Sequence, residues 1–176
     1  MSTEAENVPL VYVIAGEASG DLLAAGMMRS LRKMTGGEIR FAGVGGDLMR
    51  EEGLESLFPI SEMAVMGVFE ILPHAPRLLR RIRQTVTDIL EKQPDILITV
   101  DSKAFSLRVQ KRLHKRRQAG GPVGFPLVHM VAPTVWAWRP GRAKVVSGFL
   151  DRLLVLFPFE PPYFEEHGLK TTFVGH

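Results

Sequence analysis

Residues 11–21 read V-Y-V-I-A-G-E-A-S-G-D. Val11, Val13 and Ile14 form a short, apolar, β-branched run of the kind that fills a buried strand. The run stops at Ala15-Gly16, and Asp21-Leu22-Leu23-Ala24-Ala25 then opens a helical pattern. The turn between them holds two glycines, the carboxylate of Glu17 and the hydroxyl of Ser19. Strand, glycine turn and helix together open a parallel α/β unit, and in such sheets ligands sit beyond the carboxyl ends of the strands. Two readings of the turn stand side by side. Either Glu17 and Ser19 face a ligand, or Ser19 caps the helix and Glu17 is merely solvated.

The same alternation continues outward from this stretch. Residues 1–9 read as a loose tail and residues 10–176 as one lobe. The first helix sets Leu23, Met27, Leu31 and Met34 on one face and ends at Gly36-Gly37. Ile39–Val44 reads as a second strand closed by Gly45-Gly46-Asp47, a short helical piece runs up to Gly53, and Leu54–Ile60 reads as a weaker strand. Pro76 fits the first turn of a helix with Leu78, Leu79, Ile82, Val86, Ile89 and Leu90 on one side. Arg77, Arg80, Arg81 and Arg83 fall mostly on the other side. Asp95–Val100, Pro126–Val131, Arg152–Leu156 and Thr171–Val174 read as further strands, with helices at Ala104–Gln118, Gly141–Phe149 and Pro161–His167 between them. Repeated strand–helix alternation with short connections predicts an α/β fold. The sheet is open, mostly parallel and doubly wound, with helices on both faces.

Composition narrows the class. In 176 residues, 45% are hydrophobic and 23% charged, which suits one folded domain rather than a disordered chain. The absence of cysteine excludes a disulfide scaffold and thiol chemistry and fits a cytoplasmic location. The acidic, polar start is not a signal peptide, and no apolar run approaches the ~20 residues of a spanning helix. The net charge is only +3, but the cations are clustered.

Asp101 is the strongest candidate for chemistry. The apolar run D-I-L-I-T-V leads straight into it, so a parallel strand delivers it to the same sheet edge as Glu17. A carboxylate partly desolvated there can serve as a general base; the bland alternative is that Asp101 or Ser102 starts the next helix. His129, in or at the end of a strand, reads more readily as a hydrogen-bonded core residue than as a catalyst. The five histidines have no metal-ligand spacing, and the phosphate-loop and dinucleotide-binding glycine patterns are absent. Trp136 and Trp138 flank Ala137 ahead of Arg139; at a cleft this turn can stack on a sugar and pair with a phosphate, and when buried it is packing. Val65, Met66, Val68, Phe69, Ile71 and Leu72, followed by the arginines, suit an anionic lipid interface or, equally, a core helix with a solvated basic face. Nucleic acid ranks last as a partner, because no recognised binding motif accompanies the basic clusters.

Several stretches taken together resemble the lipid-A-disaccharide synthase family. They are A-G-E-A-S-G-D (15–21), M-A-V-M-G-V-F-E-I-L (63–72), P-D-I-L-I-T-V-D (94–101), V-W-A-W-R (135–139), F-P-F-E (157–160) and F-V-G-H (173–176). The resemblance covers nearly the whole chain after Pro9. It implies the N-terminal, acceptor-side Rossmann-like lobe of a GT-B glycosyltransferase, with the C-terminal UDP-sugar lobe absent from this sequence. It further implies inverting transfer of 2,3-diacylglucosamine from its UDP donor to lipid X, giving a β-1,6 disaccharide 1-phosphate and UDP in lipid A biosynthesis. No cofactor is expected beyond the UDP-2,3-diacylglucosamine donor, and no metal. Asp101 then matches the family's essential aspartate and Glu17 the carboxylate of its first loop, while Ser19, Trp136 and Arg139 are expected at substrate. Val65, Met66, Val68, Phe69, Leu72, Arg77, Arg80 and Arg81 become a membrane-contacting surface, with peripheral attachment to anionic lipid on the cytoplasmic side of the inner membrane. Where many members follow the aspartate with A-P-D-F, this chain has Ser102-Lys103-Ala104-Phe105, so a second acid is missing. The isolated sequence is expected to be inactive without the donor lobe. The alternative is a non-catalytic lipid- or membrane-surface-binding module, and self-association through an apolar surface shaped for the second lobe is left open.

Overall fold

The apolar runs become strands because only a two-sided burial satisfies them. In the computed structural model, which describes residues 8–64, 71–135 and 141–175 (the side chains of 64 and 71–75 excepted), the strands are β1 (Leu10–Ala15), β2 (Arg40–Val44), β3 (Ile96–Val100), β4 (Leu127–Met130), β5 (Arg152–Val155) and β6 (Lys170–Phe173). They form one six-stranded sheet in the order β2-β1-β3-β4-β5-β6, and every pairing is parallel. The helices are α1 (Ala18–Met34), α2 (Asp47–Glu51), α3 (Ser61–Ala64), α4 (Ile71–Lys92), α5 (Ser106–Gln118), α6 (Gly141–Ser147) and α7 (Pro162–Glu165).

Alternate side chains of the central strands face different helices. Val11, Val13, Ile98 and Val100 pack with Ala24, Ala25 and Met28 of α1. Tyr12, Ile14, Leu97 and Leu127 meet Ile82 and Ile89 of α4 and Val109 and Leu113 of α5 on the opposite face. A third cluster joins Ala143 and Val146 of α6 to Leu153, Val155 and Phe164. The expected doubly wound α/β lobe is therefore present. Its strand order reverses direction between β1 and β3, which is the switch point where such sheets leave an open crevice.

Four expectations change in detail. Leu54–Ile60 is not a strand: a single parallel bridge joins Gly43 to Ser56. There the Ser56 hydroxyl accepts from the Gly45 N–H at 3.1 Å and donates to the Phe58 carbonyl at 2.6 Å, replacing a ladder with side-chain bonds. The helix expected to start at Pro76 begins at Ile71 and carries the proline in its second turn. Pro76 sits close to the start of the helix, where it forfeits one backbone bond near the end of the ladder instead of breaking its middle. The helix over 104–118 starts two residues later, at Ser106, after a turn. Finally, α1 centres its buried face on Ala24, Ala25 and Met28; Leu23, Met27 and Leu31 pack against it partly buried, and Met34 is 83% exposed. Small side chains let a helix lie closer to a sheet than a row of Leu and Met permits.

Candidate functional site

The site is built where β1 and β3 end side by side. Ala15 is in register with Val100, so the residues that follow each strand emerge at one rim of the sheet. Gly16 and Ser102 touch there: a Cβ on Gly16 would sit 2.2 Å from the Ser102 Oγ, a distance no side chain tolerates. Glu17 and Asp101 are the chain neighbours of that touching pair. Gly20 closes the arrangement from above, since a Cβ placed on it would lie 3.3 Å from the Val100 carbonyl oxygen and 3.8 Å from the Asp101 Cβ. The first turn of α1 therefore covers the stem of Asp101.

The local backbone at this rim is unusual. Asp101 (φ 50°) and Ser102 (φ 48°) are both left-handed, and Val131, after β4, has φ 76°. Such conformations cost on the order of 1–3 kcal/mol each, and they gather at ligand sites, where surrounding structure holds them. Here the hold is visible: the Asp101 N–H donates to the Met130 carbonyl at 3.0 Å, and the Val131 N–H to the Leu154 carbonyl at 3.0 Å.

The capping alternatives do not describe these side chains. Asp101 and Ser102 precede α5, whose N-cap position is Phe105 and carries no side-chain cap. Ser19 lies inside the first turn of α1, where the N-cap position is Glu17, again without a side-chain cap bond. Glu17 and Ser19 are exposed and Asp101 is half-buried. Among the described residues none of the three side chains makes a hydrogen bond or ion pair with another side chain.

The other expected residues separate into groups. Trp136, Arg139, Val65, Met66, Val68 and Phe69 lie outside the described residues, and of Leu72 only the helical backbone is described. Arg77 and Arg80 stand exposed on α4 beside Arg83. Arg81 is turned inward: its Nε and Nη2 donate to the two oxygens of Glu62 at 2.9 and 2.5 Å, and its guanidinium lies 4.6 Å over the Phe58 ring. The paired guanidinium holds the Glu62 carboxyl below its usual range. Arg81 thus ties α4 to the segment ahead of it, a task its position in an arginine run did not announce.

His129 is the core residue its strand position suggested. It is fully buried, with Nδ1 2.7 Å from the Thr99 hydroxyl, and Gln110 donates to that same hydroxyl at 3.0 Å and to the Val128 carbonyl at 2.7 Å. Burial first, and the charge of Lys103 second, push its pKa down to about 4. Asp21, at the start of the helical pattern, has no role that the sequence alone assigns. It is buried, and its carboxylate accepts from the N–H groups of Gly46, Leu48 and Met49 at 2.8, 3.1 and 3.2 Å. It therefore caps α2 from another element and pins the loop after β2 to α1. An acid within the first turn of a helix, on its buried face, is the signal that could have found it. Among the described residues no group of three or more His, Asp or Glu is arranged to hold a metal.

Comparison with known proteins adds an independent observation. A family model described as lipid-A-disaccharide synthetase matches residues 11–176. The lipid-A-disaccharide synthase of Rhodospirillum centenum is 53% identical over 167 residues, covering 95% of this chain and 40% of the relative. That of Paramagnetospirillum magneticum is 52% identical, covering 95% and 42%, and that of Alcanivorax borkumensis 46% identical, covering 99% and 43%. The chain spans about two fifths of the length of these curated relatives.

Proposed function

The chain belongs to the lipid-A-disaccharide synthase family, and from that membership we propose that it forms the acceptor-side lobe of an inverting glycosyltransferase. The acceptor is lipid X and the donor UDP-2,3-diacylglucosamine; the products are the β-1,6 disaccharide 1-phosphate and UDP. The acceptor 6-hydroxyl is a weak nucleophile at neutral pH. Asp101 takes its proton as the oxygen attacks the anomeric carbon, UDP leaves from the opposite face, and the centre inverts through an oxocarbenium-like state. Glu17 orients the acceptor or Asp101 itself, Ser19 adds a hydroxyl contact, and Trp136 and Arg139 stack on sugar and hold phosphate. Contacts to the donor nucleotide belong to the remaining length of the relatives.

One observation carries this reading: the Gly16–Ser102 contact brings Glu17 and Asp101 to one rim at the switch point of the sheet. The exposed arginines of α4 support peripheral attachment to anionic lipid on the cytoplasmic face of the inner membrane. No helix among the described residues is long and apolar enough to cross a membrane.

The test is product formation from the UDP donor and lipid X in a protein extended to the length of its relatives. Asp101→Ala is expected to lower kcat by roughly 10²–10⁴-fold, the usual range for loss of a general base. A near-normal rate would remove Asp101 from that role.

A further inference from the structure

Arg81 belongs to a run of arginines whose other members, Arg77, Arg80 and Arg83, stand exposed. Its own side chain is only 17% exposed, and that of its partner Glu62 25%. Three kinds of contact occupy the one guanidinium. Nε and Nη2 hold the two Glu62 oxygens, Nη1 donates to the Gln84 Oε1 at 2.7 Å, and the flat face covers the Phe58 ring. Only a planar, forked cation fills all three places at once. A half-buried ion pair is a poor source of stability, because desolvation offsets much of the attraction. What this one supplies is direction, since it fixes where α3 and Phe58 stand against α4.

Both partners of Arg81 lead to the rim. Next to Glu62, the buried Met63 brings its Cε to Gly16, 3.3 Å from where a Cβ on that glycine would sit. Phe58 meets Phe105 edge to face, with ring centroids 6.1 Å apart and planes at 80°. Phe105 is buried, and its N–H and that of Ser106 both donate to the Ser102 carbonyl, at 3.1 and 2.8 Å. Two packed routes therefore leave one guanidinium and converge on the Gly16–Ser102 contact, directly beside Asp101. Asp101 and Ser102 are also the two consecutive left-handed residues, a conformation that persists only where neighbours impose it. In a close-packed interior such contacts pass a displacement on instead of absorbing it.

We propose that Arg81 is a positioning residue for Asp101. Through Glu62–Met63 and Phe58–Phe105 it fixes the Gly16–Ser102 contact, and with it the orientation of the Asp101 carboxylate. The proposal rests on the general-base role of Asp101 and adds a residue on α4 that serves that base from a distance.

The experiment replaces the ion pair by apolar groups, Glu62→Leu/Arg81→Met, in the protein extended to the length of its relatives. Product formation from the UDP donor and lipid X is followed with and without Asp101→Ala. The pair variant is expected to lower kcat by about 10–100-fold, the cost of a misplaced reacting group, and to leave KM for lipid X within about twofold. With Asp101→Ala already present it should change kcat by less than about twofold, because no carboxylate is left to misplace. The thermal midpoint should stay within about 4 °C of the parent. Arg81→Lys, which keeps the charge but not the fork, should show the same pattern more weakly, and it carries the test if the pair variant does not fold. Amide hydrogen exchange should quicken by about tenfold at Asp101, Phe105 and Ser106 and stay unchanged in β5. Unaltered kcat, a rise in KM alone, losses that multiply with that of Asp101→Ala, or unaltered exchange at the rim each overturn the proposal while leaving the role of Asp101 intact. A near-normal rate for Asp101→Ala by itself, or no product from the parent, overturns the role of Asp101 and the proposal together.

Discussion

At His129 a single side chain links burial to acid sensitivity. The imidazole is held neutral beneath α5 and has a pKa of about 4, against about 6.5 in an unfolded chain. Between those values the unfolded state binds a proton that the folded state does not, so stability rises with pH across this window and falls as pH drops through it. From pH 7 to pH 5 the protein is expected to lose about 2 kcal/mol of unfolding free energy through this residue, read from denaturant curves at each pH. His129→Gln should flatten that slope. An unchanged slope would assign the acid sensitivity to other groups. Gly16 makes a second argument at this scale. Gly16→Ala drives its new methyl into Ser102 and should destabilise by about 1–3 kcal/mol, as overpacking does. Adding Ser102→Gly removes the obstructing atoms and suits φ 48°, so the double variant should recover most of the loss in the same measurement. Failure of that rescue would mean that Gly16 is required for something other than this contact.

Among the elements, α4 shows how far a pattern can be read before packing is known. Its buried row, Leu78, Ile82, Val86 and Ile89, and its exposed Arg77, Arg80 and Arg83 follow directly from the 3.6-residue period. Its start does not, because Pro76 reads as a first-turn residue in the sequence and the helix runs through it from Ile71. The strands are legible as apolar runs, and so is the margin of the buried face of α1, where Leu23, Met27 and Leu31 pack. Hydrophobicity reports that a face is buried, but not that its centre falls on Ala24, Ala25 and Met28. Asp101 and Glu17 could be picked out because each follows a strand end. The Gly16–Ser102 contact that brings them together, the inward turn of Arg81 and the capping of α2 by Asp21 join residues far apart in sequence, and no local pattern encodes them. On the proposed membrane surface, Arg77→Gln, Arg80→Gln and Arg83→Gln combined should weaken binding to phosphatidylserine vesicles by on the order of 100-fold at low salt, from roughly 1 kcal/mol per arginine. Sedimentation with the vesicles measures it, and unchanged sedimentation would return these side chains to ordinary solvated surface.

At the scale of the whole molecule, the parallel order places the first strand in the interior of the sheet, and this bears on how the protein is made. One flank of β1 pairs with β2, but the other waits for β3, and the Leu10 N–H finds its acceptor on Asp95, 85 residues further along. A ribosome adding about 5–20 residues per second needs roughly 4–17 s to supply that partner. Throughout that interval the nascent chain carries a half-paired, strongly apolar ribbon with an open row of amide and carbonyl groups, the form most prone to pairing with the wrong neighbour. Ribosome-associated chaperones are therefore expected to crosslink to the growing chain while β1 is out and β3 is not, and to leave once Val100 clears the exit tunnel.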